Sequence, residues 1–121
     1  MKNIKITMKI EYSGYYCNGT NTYGYKNETD LKKLLIHEYF KVLELRYSSL
    51  YINSFLGYHY KDKIIEYTHE DFINDLIEDY FKINDDNNDL YFLILVKMNS
   101  SKSIEEFMSY INGLKEGLNY E

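Results

Sequence analysis

Eight carboxylates fall within residues 70–89, EDFINDLIEDYFKINDDNND: Glu70, Asp71, Asp75, Glu78, Asp79, Asp85, Asp86 and Asp89, opposed only by Lys82. The segment carries a formal charge of −7 while the 121-residue chain carries −5, which leaves a net +2 on the rest. Charge concentrated in this way steers basic partners and repels nucleic-acid phosphates. Carboxylates at this density also raise the question of a cation. A calcium loop needs ligands at alternate positions, a central Gly and a closing Glu. Asp85, Asp86, Asn87, Asn88 and Asp89 follow no such order and run directly into Leu90-Tyr91-Phe92, so no metal is expected there.

The other reactive groups are sparse. His37, His59 and His69 are the only imidazoles, and no HxxxH, HExxH or CxxC occurs. Metal sites and acid–base dyads need two or three converging donors, usually at recognisable spacing. His69 follows a helix cap and His59 lies between two tyrosines of a hairpin, so both read as structural or surface groups. Cys17 would be a nucleophile only beside a histidine. As the sole cysteine it allows no internal disulfide and suits a reducing bacterial cytoplasm. The phosphate-cradling patterns GxxxxGK[ST] and GxGxxG are absent. The expectation is no catalytic residue, no cofactor and no metal. Glu38 is odder, since it falls between Leu45 and Leu31 on the apolar stripe of a helix. A buried carboxylate marks a candidate site, unless Lys5, Lys9 or Arg46 pairs with it.

Composition adds a second class of contact residue. Ala, Pro, Gln and Trp are missing and Arg46 is the only arginine, a bias expected of an AT-rich genome, bacterial or phage. That bias does not explain 15 Tyr against 6 Phe. Tyr joins an apolar ring to a polar tip and is enriched where surfaces meet partners. Tyr15, Tyr16, Tyr23, Tyr25, Tyr58 and Tyr60 therefore join Glu70, Asp71, Asp75, Glu78 and Asp79 as the expected partner-binding set.

The elements that position these groups follow from periodicity. Ile4, Ile6, Met8, Ile10 and Tyr12 alternate with polar residues, which predicts a half-buried strand. Asn18-Gly19 is a type I′ hairpin signal, so the first strand is expected to reach Cys17 and its partner to run from Thr20 to about Lys26. The Gly and Asn content there suits a mobile loop equally. A first helix starts near Asn27 or Thr29 and ends near Arg46. Leu50 to Leu56 reads as a strand, with a helical extension closed by Gly57 as the alternative. Tyr58, Tyr60 and residues 64–67 suit a hairpin turning at Lys61-Asp62. Thr68 and Asp71 open a second helix with a capping box, whose stripe is Phe72, Ile73, Leu76, Ile77, Tyr80 and Phe81. NDDNND reads as a tight polar connection. Residues 90–98, apolar nearly throughout, predict a central strand covered on both faces. Ser103 with Glu106 opens a last helix with the stripe Ile104, Phe107, Met108, Ile111, Leu114 and Leu118.

The order β(β)αββαβα predicts one α+β domain, a mainly antiparallel sheet packed by two to three helices. Its βαββαβ portion resembles a ferredoxin-like split, a likeness of element order that implies no activity. The longest apolar run, residues 90–96, falls far short of the roughly 20 residues of a membrane span. The opening residues alternate lysine with apolar residues and lack the continuous apolar core of a signal peptide.

Carboxylates at i, i+4, as in Asp71–Asp75 and Asp75–Asp79, repel by a few tenths of a kcal/mol per pair. A local cost without local gain suits a binding surface. The functional expectation is a non-enzymatic inhibitor or binding protein that docks onto a basic, nucleic-acid-binding protein effector and imitates its phosphates, without itself binding nucleic acid or membrane. In general character such a chain resembles phage-encoded anti-defence inhibitors, anti-CRISPR proteins above all. An immunity protein or antitoxin neutralising a basic toxin is the alternative. A small nuclease or nucleotide hydrolase would require His37, His59, His69 or Cys17 to converge with a carboxylate.

Overall fold

A computed structural model describes residues 1–83 and 88–119, the side chains of 118 and 119 excepted. Lys2–Tyr12 (β1) and Tyr15–Tyr25 (β2) form a hairpin paired along its whole length, from Lys2 opposite Tyr25 to Tyr12 opposite Tyr15. The chain turns at Ser13-Gly14, where Gly14 takes φ +100° at no steric cost. The turn expected at Asn18-Gly19 does not form; both residues lie within β2, opposite Lys9 and Met8. A turn there would fold β2 onto itself and leave most of β1 without a neighbour on that side. The observed turn pairs every residue of β1 and sets Tyr23 beside Ile4 on the same face.

Tyr51–Tyr60 (β3) and Lys63–Glu66 (β4) complete an all-antiparallel sheet in the order β2-β1-β3-β4. Residues 51–60 are thus strand rather than helical extension. Lys61 and Asp62 both take positive φ, 46° and 62°, as a type I′ turn demands. Pairing slips between Glu11 and Tyr12, so Ile52 is an extra, exposed residue in β3. Ile4, Ile6, Ile10 and Tyr12 point into the core, while Lys5 and Lys9 stand on the opposite, open face of the sheet. Thr7, also on the open face, is buried there by Thr20 and by His59, whose Nε2 lies 2.8 Å from its hydroxyl.

The helices cover the other face. Glu28–Arg46 (α1) is capped by Asn27, whose side chain accepts from the Asp30 N–H, and buries Leu35, Ile36, Tyr39, Val42 and Leu43. His69–Asp75 (α2) begins with the expected Thr68–Asp71 capping box and continues as a π-helical turn, Leu76–Tyr80. Phe72 is fully buried, stacked on Tyr39 at 4.4 Å and edge-on to Phe40 at 5.2 Å between ring centroids.

Residues 90–98 are not a strand. They belong to a helix, Asn88–Ser100 (α3), that buries Leu90, Ile94 and Met98, four residues apart on one side. A short apolar run suits a buried strand or a helix equally by pattern, and the burial of every fourth side chain here is the helical period. Without a strand after α2, the second β-α-β unit of the ferredoxin-like order is missing among the described residues; the crossover β2-α1-β3, which straddles β1, stands without it. The last helix, Ile104–Asn119 (α4), starts where Ser103 Oγ accepts from the Glu106 N–H, and it buries Phe107 and Ile111. Of the NDDNND connection, residues 84–87 lie outside the described residues, and Asn88 and Asp89 already belong to α3. Among the described residues no helix is long and apolar enough to cross a membrane.

Candidate functional site on the helical layer

The carboxylates of the α2 segment are held by different partners. Asp71 closes the cap, accepting from the Thr68 N–H at 3.1 Å. Asp75 is half-buried and accepts the Tyr67 hydroxyl at 2.8 Å. Burial holds its carboxyl above the usual carboxylate range, against the lowering effects of Tyr67 and Lys32. Burial, then the charge of Asp75, pushes the Tyr67 hydroxyl up as well. The wider π turn sets Glu78 within 3.0 Å of Lys32 on α1, and that bond raises the Lys32 ammonium. Glu70 is exposed and acts on Tyr91 of α3, whose hydroxyl is raised by burial and then by the Glu70 charge. Asp79 is half-exposed. The even array of five outward carboxylates thus reduces to Glu70, Asp71, Glu78 and part of Asp79.

Of the expected contact residues, Tyr58, Asp71 and Asp75 come together. With Lys32, Tyr67 and Ile65 they line a cavity of about 390 Å³ between α1, the β3–β4 hairpin and α2. The Tyr58 hydroxyl is raised by burial, then by Asp71 and Asp75. The other tyrosines lie apart. Tyr15 stacks on Tyr12 at 5.3 Å and Tyr16 hydrogen-bonds Glu11 at the turn end of the first hairpin. Tyr60 flanks the second turn, with the Lys61 ammonium 5.3 Å from its ring centroid. Tyr23 and Tyr25 are half-buried. Tyr23 donates to Glu38 at 2.7 Å, and Lys41 pairs with the same oxygen at 3.2 Å. Glu38 is therefore a buried carboxylate, 3% exposed, satisfied by Tyr23 and Lys41 rather than by Lys5, Lys9 or Arg46.

Placing residues 90–98 in a strand hid an open apolar surface on α3. On α3, Phe92, Leu93 and Val96 are 58%, 48% and 65% exposed. With Asp89, Lys97 and Tyr110 they form an apolar groove of about 460 Å³. Lys97 bonds Glu106 at 3.3 Å and lies 5.5 Å from the Tyr110 ring centroid, which fixes one wall. Reading Leu90, Ile94 and Met98 as a buried i, i+4, i+8 row would have pointed Phe92 and Val96 outward.

The remaining reactive groups occupy separate elements. His37 is exposed on α1, His59 packs on the open sheet face, and Cys17 is exposed in β2. His69 lines a cavity of about 440 Å³ with Arg46, Tyr51, Glu66 and Glu70. Among the described residues no group of three or more His, Cys, Asp or Glu is placed to hold a metal ion. No family model, no curated protein and no solved structure matches this chain.

Proposed function

We propose that the protein is a non-enzymatic binding protein that docks its helical layer onto a basic protein, an inhibitor of a nucleic-acid-binding effector being the form that best fits the charge. The observation that carries the reading is the uncovered strip Phe92, Leu93 and Val96 on α3, alongside which α2 presents Glu70 next to Tyr91. Three large apolar side chains left in water are a cost that contact with a partner removes. The carboxylates supply fast, salt-sensitive encounter, and the strip supplies the buried anchor. An amphipathic helix with basic flanks matches both. Asp75 and Glu78 are engaged by Tyr67 and Lys32, which favours charge-steered docking over a regular imitation of phosphates.

The test uses a synthetic amphipathic Leu/Lys helix as probe, titrated at low and high salt. Val96→Glu is expected to weaken binding at both salts. Glu70→Lys with Asp79→Lys is expected to weaken it at low salt and flatten the salt dependence. Neither set touches a core side chain, so circular dichroism should stay unchanged. Binding unaffected by both sets would refute the assignment.

A further inference from the structure

We propose that the free edge of β2 is a self-association surface, through which a second copy of the chain continues the sheet. In the order β2-β1-β3-β4, β2 is an edge strand of eleven residues, and nearly all of it is exposed. An edge strand offers a row of backbone donors and acceptors to any other strand, and proteins guard such edges with charge, proline, bulges or brevity. The opposite edge is guarded in that way: β4 has four residues and carries Lys63 and Glu66. The β2 sequence, YYCNGTNTYGY, contains no charged residue and no proline, and its pairing with β1 runs without a bulge.

The strand fits itself, and this selects a second copy as the occupant: β2 is uncharged along its length. Two molecules of net charge −5 repel as wholes, and the repulsion is least where neither carries carboxylates. The acidic helix packs on α1 and α3 and borders a cavity with Tyr58 of β3 and Ile65 of β4, toward the opposite edge of the sheet from β2. A two-fold axis perpendicular to the sheet, passing through Thr20, pairs the whole strand in antiparallel register. Tyr15 then meets Tyr25 of the second copy, Cys17 meets its Tyr23, and Asn18 meets its Thr22. Residues of one face meet residues of the same face, as strand alternation requires, and no charges oppose.

The test is sedimentation of the full chain from micromolar to millimolar concentration, with amide exchange followed by NMR. The expected result is a dimer in which consecutive β2 amides are protected. A lone edge would protect only every second one. Asn18→Lys with Thr22→Lys places lysines opposite each other twice and should weaken dimerisation roughly tenfold or more. Asn18→Lys with Thr22→Glu places Lys opposite Glu twice and should restore it. Both variants change only exposed side chains of the open face. A wild-type monomer with alternate β2 amides exchanging freely throughout would overturn the proposal. A dimer indifferent to the paired lysines would overturn it equally.

Discussion

Consider the replacement of Tyr23 by Phe together with Lys41 by Met, which leaves Glu38 in place and removes both groups that satisfy it. Its Oε1 accepts from Tyr23 at 2.7 Å and pairs with Lys41 at 3.2 Å. A hydrogen bond to a charged group contributes about 1.5–3 kcal/mol. A buried charge left without a partner costs about 3–5 kcal/mol. The double variant should therefore lose about 3–5 kcal/mol of stability. Glu38→Leu removes the group that needs compensation. Lys41 is 48% exposed and returns to water, and Tyr23 is half-buried, within reach of solvent. That variant should stay within about 1.5 kcal/mol of the wild type. Urea unfolding followed by circular dichroism separates the two. With a slope of roughly 1–3 kcal/mol per molar urea, the double variant shifts the midpoint by about 2 M and Glu38→Leu by less than about 1 M. Both act on the same junction of α1 with β2, so element and context are shared. Equal losses in the two variants would refute the reasoning.

Two further outcomes are expected. Asp75 has a folded-state pKa above its ordinary 3.8, so just above pH 3.8 the folded state binds more protons than the unfolded one. Stability therefore falls as pH rises through that window, and Asp75→Asn should lessen the fall. Parallel melting-temperature curves for wild type and variant would contradict this. At Gly57, an added Cβ meets Phe55 Cε1 and Cζ at 2.8 Å and Ile64 Cγ2 at 2.9 Å. Gly57→Ala should cost about 1–3 kcal/mol by overpacking, and Phe55→Ala in the same chain should recover part of it in thermal melts.

What could be read from the residues alone was what local chemistry decides. Asn27, Thr68 and Ser103 each cap a helix through a bond three residues long, and Ile4 to Tyr12 form the expected strand, with Thr7 buried on the open face as the departure from simple alternation. Asn18-Gly19 carried the local turn signal, but full pairing with β1 places the turn at Ser13-Gly14. Residues 90–98 misled because burial on two faces looked cheaper than exposing Phe92, Leu93 and Val96. The acidic character of α2 was plain, but its outward set was not. Glu78 is bound by Lys32, 46 residues earlier, and Asp75 is turned toward Tyr67 by tertiary packing.

Lys5 and Lys9 stand on the open face of the sheet, and the α2 carboxylates stand on the helical side. The α2 carboxylates thus share a side of the sheet with Phe92, Leu93 and Val96 of α3. A cationic body drawn to Glu70 would arrive on the layer that holds the apolar strip, so attraction and burial act at one place. A weak apolar strip needs that help, because it can bind only what meets it from the right side.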